Sequence, residues 1–182
     1  MIKLNLGSGY KKLDGYITVD NDSKCNPDHV LDLETDRLPF DDSTVDEVLA
    51  HHILEHLGDG FFHVMREIYR VCKNGAIVDI AVPHPRHDTF LIDPTHKRPI
   101  YPYTMDMFSK ARNLRDIELG GNVTTVALQN NVDFELITHE FKLDPYYLPI
   151  FQKATEEECE FIARSQNNVI VEITMKLMVI KE

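Results

Sequence analysis

Ile2-Lys3-Leu4-Asn5-Leu6-Gly7-Ser8-Gly9 decides how the rest of the chain is read. Apolar and polar residues alternate and then meet two glycines, the pattern of a strand entering a tight turn. Working outward, Tyr16-Ile17-Thr18-Val19 is a second short strand ending at Asp20. His29-Val30-Leu31 is a third, ending at Asp32, and Val45 to Ala50 a fourth, ending at His51. Ala76 to Val82 is a fifth, ending at Pro83. Between the last two, the stretch from Gly60 to Lys73 places apolar residues at 61, 62, 64, 65, 68, 69 and 72, a helical stripe for which Asn74-Gly75 is a suitable stop. Short strands followed by polar residues predict an α/β sheet with a site along one edge. Only ten positions separate Gly9 from Val19. A parallel crossover normally takes about a dozen residues or more, usually with a helix. Either the first crossover is a compact loop or the first two strands are not simple parallel neighbours, and the compact loop is the expectation.

The second half is less regular. Pro83, Pro85, Pro94, Pro99 and Pro102 mark a long loop over the sheet edge, since such a stretch fits neither a central helix nor a central strand. Tyr103 to Arg112 reads as a short helix, Asp133 to Leu143 and Val169 to Ile180 as late strands, and Glu156 to Arg164 as a helix between them. No linker divides the chain. The expectation is one domain over residues 1–182, with a cofactor-binding half at 1–83, a variable substrate-side region at 84–131, and C-terminal strands and helix at 132–182.

The 182 residues carry 19 Lys and Arg against 30 Asp and Glu, a formal charge of −11. Such a balance argues against an extended nucleic-acid surface or an anionic membrane as partner. Three cysteines do not make a disulfide scaffold, and no apolar run approaches the length of a membrane span. With a strand beginning at Ile2, no signal peptide is expected, and the reading is a soluble cytoplasmic protein.

The glycine pair after the first strand lets a ligand approach the backbone, because no Cβ intrudes. Asp20, eleven residues after Gly9, ends the next strand, where a carboxylate can accept both hydroxyls of a ribose. Taken alone, these residues fit a tight turn with a capping Asp equally well, and the third glycine of the dinucleotide fingerprint is missing.

Further blocks follow in order: Asp32-Leu33-Glu34, then Leu38-Pro39-Phe40-Asp41-Asp42, then Leu54-Glu55-His56-Leu57, then Arg66 to Gly75. This order resembles the class I S-adenosylmethionine-dependent methyltransferases, in particular the small type-11-like group, over residues 2 to 83. The resemblance implies a Rossmann-like, mostly parallel sheet with a late antiparallel strand, and S-adenosylmethionine as cofactor. It implies that Gly7, Ser8 and Gly9 pack against the methionine and ribose parts, that Asp20 holds the ribose, and that Asp32 and Leu33 hold the adenine. His51 falls where family members line the methyl group. Two departures stand out. The family's Pro-Gly-Gly is Asn74-Gly75-Ala76 here, and the helix that caps the cofactor's amino-acid end is missing after Gly9.

Beyond Pro83, His84, His87 and His96 with Arg86, Lys97 and Arg98 either line a cavity for a small-molecule acceptor or are ordinary polar loop residues. Arg86, His96 and Tyr101 are the candidates on that side, with Tyr103 beside Tyr101. If the acceptor is a hydroxyl, a general base within hydrogen-bond reach is required. His84 is the first candidate and His51 the second. His52-Ile53-Leu54-Glu55-His56 also fits the H-x-x-E-H of inverted zinc peptidases. Nothing downstream names a third ligand, so no metal is expected. The competing readings are methyl transfer, a non-catalytic nucleoside- or partner-binding protein of the same fold, and a zinc hydrolase using His52, Glu55 and His56.

Overall fold

The computed structural model describes residues 1–181. Among the described residues seven strands form one sheet: β1 (Lys3–Leu6), β2 (Ile17–Asp20), β3 (His29–Val30), β4 (Val45–His51), β5 (Cys72–Pro83), β6 (Phe134–Leu143) and β7 (Ile170–Val179). Their spatial order is β3-β2-β1-β4-β5-β7-β6. The first five run parallel, and β7 inserts antiparallel between β5 and β6. The sheet is thus the mixed, mostly parallel one that the resemblance implied. The short first crossover is real: β1 pairs in parallel with β2, Leu4 opposite Ile17, with no helix between them.

The helices are α1 (Phe61–Val71), α2 (Asp88–Leu91), α3 (Pro102–Asp106), α4 (Lys110–Glu118), α5 (Val126–Asn130), α6 (Leu148–Phe151) and α7 (Glu156–Ser165). Helix α1 buries Phe61, Val64, Met65, Ile68 and Val71, a stripe at helical spacing that joins the main core. Two sequence expectations shift. Asn74-Gly75 does not stop the helix, because β5 already begins at Cys72. Instead it lies in a bulge: β4 advances from Val45 to Glu47 while its partner advances from Cys72 to Ile77, and Gly75 takes a φ of +79°. The helix expected over Tyr103–Arg112 is two helices, α3 and α4. Ser109 accepts a hydrogen bond from the Arg112 amide and starts the second.

The two faces of the sheet differ. Val48, Ala50, Val78, Ile80, Val82, Ile173, Leu177 and Val179 are buried in the core. Among the residues alternating with them, Leu49, Ile77, Ala81 and Met178 are apolar, but several others are charged or polar and pair with each other. Glu47 meets Lys3 at 2.6 Å and Tyr16 at 2.5 Å, and Asp79 meets His51 at 2.8 Å and Lys176 at 3.7 Å. Parallel strands covered on both faces are apolar throughout. These alternate because none of the crossovers over residues 7–16, 21–28 and 31–44 carries an α-helix.

Segment 38–42 is fixed to α1 by a dense polar network. Arg70 donates to both oxygens of Glu67 at 2.8 Å, to the carbonyls of Leu38 and Phe40, and to Asp42. Glu67 in turn accepts from the Leu38 amide at 2.8 Å. These pairs raise the Arg70 pKa and hold the Glu67 and Asp42 carboxyls below their usual range.

Candidate functional site

A cavity of about 430 Å³ opens at the C-terminal ends of β1, β2 and β3, facing the 3-10 turn Leu54–His56. Gly7, Asp20, Asp32 and Leu33 line it, together with Ile53, His56 and the loop residues Pro94, Thr95 and Lys97. Four residues proposed for the cofactor therefore share one wall. Ser8 and Gly9 adjoin that wall without lining it.

The glycine turn is held by β2. The amides of Gly7 and Ser8 both donate to the Val19 carbonyl, at 2.8 and 3.2 Å. The Gly9 amide donates to Asp20 Oδ2 at 2.7 Å, and Asp20 Oδ1 accepts from the Asp22 amide at 2.9 Å. Gly7 and Gly9 have φ values of +62° and +51°, which glycine adopts without strain. A Cβ on Gly7 would sit 2.7 Å from Ile53, so the glycine makes room for Ile53. At Gly9 a Cβ would meet nothing within 4 Å. Asp32 Oδ1 accepts from the Glu34 amide at 2.9 Å, shaping the turn after β3.

Glu34 also lines the cavity. Its Oε2 accepts from the amides of Gly58 and Gly60 at the start of α1, and Oε1 pairs with Lys97 at 2.9 Å. Lys97 and those amides hold its carboxyl below the usual range. Gly60 has no alternative here, since a Cβ would lie 2.5 Å from the Glu34 backbone. With Asp20, Asp32 and Glu34 against Lys97, the walls carry more carboxylates than cations.

The substrate-side residues do not converge. His84 is buried beside Tyr101, ring centroids 5.4 Å apart, and lines no part of this cavity. Burial, with help from Arg86 and His87, depresses its pKa to about 4, so the ring is neutral at neutral pH. Arg86 donates to the carbonyls of Ala163 and Arg164 at the end of α7. Arg98 lies over the Phe61 ring at 4.5 Å and donates to the Gly58 carbonyl. The expected basic cluster is thus three separate structural contacts. His51 turns to the polar sheet face and binds Asp79, away from the cavity lining.

His52 takes a left-handed φ of +55°, its Nε2 lies 3.0 Å from Glu172, and only residues 54–56 form a turn. His52 and His56 therefore do not share the helical face that the zinc-peptidase motif requires. The Pro-rich loop does reach the site: the amides of Lys97 and Arg98 donate to the Glu55 carbonyl at 2.8 and 3.0 Å. This brings Pro94, Thr95 and Lys97 into the cavity wall and His96 against His56, ring centroids 4.6 Å apart. Sequence reasoning passed over Ile53 and Glu34, whose roles depend on contacts with Gly7, Gly58 and Gly60.

Residues 16–80 match the family model described as a methyltransferase domain. No curated protein matches the sequence. Among solved structures, a SAM-dependent methyltransferase from Archaeoglobus fulgidus is similar at 18% identity, with a TM-score of 0.61, covering 97% of this chain and 85% of that one. A SAM-dependent methyltransferase from Thermotoga maritima, described as a possible histamine N-methyltransferase, is similar at 11% identity and TM-score 0.58, covering 97% and 81%. The [4+2]-cyclase SpnF is similar at 14% identity and TM-score 0.57, covering 99% and 75%. At these identities the structural likeness speaks for the fold alone. The fold is that of the class I methyltransferases. Within that fold, residues 16–80 carry the matched methyltransferase domain, and the similar solved structures include S-adenosylmethionine-dependent methyltransferases. Among the described residues no helix is long and apolar enough to cross a membrane.

Proposed function

We propose that the chain transfers the methyl group of S-adenosylmethionine to a small-molecule acceptor, with the cofactor in the cavity between Gly7, Asp20 and Asp32. The observation that carries this reading is the shared wall: a glycine turn and two strand-end carboxylates face one cavity of about 430 Å³. In this reading Asp20 accepts the ribose hydroxyls through the lone pairs that Gly9 and Asp22 leave free. Asp32 accepts the adenine amino group, with Leu33 against the ring. The excess of carboxylates suits a ligand that carries a sulfonium and an ammonium.

The chemistry asks little of the protein beyond alignment. Held by Gly7, Asp20, Asp32 and Leu33, S-adenosylmethionine would supply a methyl group on a sulfonium that an acceptor's lone pair could take, with the sulfur keeping the electron pair of the broken C–S bond. Holding the two reactants in line supplies much of the rate. Pro94, Thr95 and Lys97 form the wall from which an acceptor enters. His84 stands apart from the cavity, so it supports the loop rather than acting as base.

A second reading has its own support. The Gly7 and Ser8 amides are both engaged by Val19, and no helix N-terminus follows to receive the cofactor's carboxylate. A nucleoside-binding protein without turnover fits that feature. Isothermal calorimetry with S-adenosylhomocysteine, followed by mass-spectrometric search for methylated products in a metabolite extract, separates the two. Binding with product formation supports methyl transfer, and binding without any methylated product supports the second reading.

A further inference from the structure

Among the described residues Glu55 stands out as a buried carboxylate without a hydrogen-bond partner. It is 1% exposed, and neither carboxylate oxygen accepts a hydrogen bond. Its nearest basic group is His52 Nδ1, at 3.5 Å from Oε1. A buried carboxylate without partners is strongly unfavourable unless a cation or a proton compensates it.

Two imidazoles stand beside it with their outer nitrogens bare. His96 Nδ1 lies 2.8 Å from the Phe90 carbonyl, which can only accept, so Nδ1 carries the hydrogen and Nε2 presents a lone pair. His56 Nδ1 lies 2.9 Å from Thr95 Oγ1, whose own hydrogen goes to Asp93 Oδ1 at 2.6 Å. That leaves Nδ1 of His56 as the donor and Nε2 bare. Rings oriented through one nitrogen by a carbonyl or hydroxyl, with the other nitrogen free, are the usual arrangement of metal-ligating histidines.

One ligand atom from each of Glu55, His56 and His96 lies within 4.8 Å of the other two. Ligands about 2.1 Å from one ion stand at most about 4.2 Å apart, so shifts of roughly an ångström close the set. The backbone holds it together: Glu55 and His56 are consecutive in the 3-10 turn, and the Lys97 and Arg98 amides bind the Glu55 carbonyl beside His96. Asp93 Oδ2, 3.8 Å from His96 Nε2, is a further oxygen within reach.

We infer that Glu55, His56 and His96 form a site for a divalent first-row transition-metal ion, zinc being the best match to two imidazoles and one carboxylate. His56 and Thr95 line the cavity, so the positions left open by three protein ligands adjoin it. The inference rests on these side chains and not on the methyl-transfer reading, and its test needs no turnover.

The test is a titration of the chelator-treated full chain with Co²⁺, followed by visible absorption and calorimetry, then displacement by Zn²⁺. One equivalent of Co²⁺ is expected to give ligand-field bands that Zn²⁺ abolishes. Affinity is expected to fall roughly tenfold or more in His96→Ala and in Glu55→Gln. It is expected to be unchanged in His63→Ala, on α1 outside the cluster. Thermal melts guard against misfolding. Zn²⁺ is expected to raise the melting temperature of the wild type and not of Glu55→Gln, while the metal-free variant melts at or above the metal-free wild type. No saturable binding at one equivalent, affinity unchanged in both cluster variants, or an equal loss in His63→Ala would each overturn the inference.

Discussion

The Gly9 amide donates a 2.7 Å hydrogen bond to Asp20 Oδ2, so the carboxylate proposed as the ribose ligand also fixes the glycine turn proposed to receive the cofactor. The two roles are separable. Asp20→Asn keeps a side-chain oxygen for Gly9 and removes the charge. It is expected to unfold within about 1 kcal/mol of wild type, yet to bind S-adenosylhomocysteine more weakly by about 1.5–3 kcal/mol. Urea denaturation and calorimetry on the same preparation check both halves.

Gly7 gives a different kind of prediction. Its φ of +62° and the 2.7 Å approach of Ile53 mean that a side chain is strained before any ligand arrives. Gly7→Ala is expected to cost about 1–3 kcal/mol of stability. Adding Ile53→Ala removes the steric part and not the backbone part, so the double variant should recover stability relative to the sum of the single changes. Strict additivity in denaturation midpoints would contradict the contact.

His84 predicts a pH dependence. Its folded pKa of about 4 lies below the unfolded value of 6.5, so between these values the unfolded chain binds a proton that the folded chain does not. Stability from this residue is present above pH 6.5 and is lost as the pH falls toward 4, by no more than about 3 kcal/mol. The difference in unfolding free energy between wild type and His84→Gln, measured across pH 4–7, should narrow toward acid.

Arg70 anchors segment 38–42 through Glu67, Asp42 and two carbonyls. Arg70→Leu leaves the largely buried Glu67 without its cation and is expected to cost about 3 kcal/mol or more. Arg70→Lys should restore only part of this, because one ammonium cannot reproduce the forked contacts. Chemical denaturation of the two variants tests the order.

Much of this was legible in the sequence. The spacing from Gly9 to Val19 favoured a compact loop over a crossover helix, and Asp20 ends β2 while Asp32 follows β3 because apolar runs stop there. The Arg66–Gly75 block needed the fold for its meaning: Glu67 and Arg70 act on Leu38 and Phe40, 29 to 32 residues away. A glycine with positive φ suits a helix end or a strand bulge alike, which is why Gly75 misled. His51 was misdirected for a reason visible in β4 itself, where it alternates with the buried Ala50 and so faces Asp79. The pairing of Glu55 and His56 with His96 was out of reach, because only the Lys97 and Arg98 amides bring the Pro-rich loop onto that turn.

The account stands most directly on calorimetric titration of the full chain with S-adenosylhomocysteine, in wild type and in Asp20→Ala. It predicts one equivalent bound by the wild type and an affinity at least roughly tenfold weaker in the folded variant, the fold-change of a lost charge-assisted bond. No binding by the wild type, or equal affinity in both proteins, would contradict it.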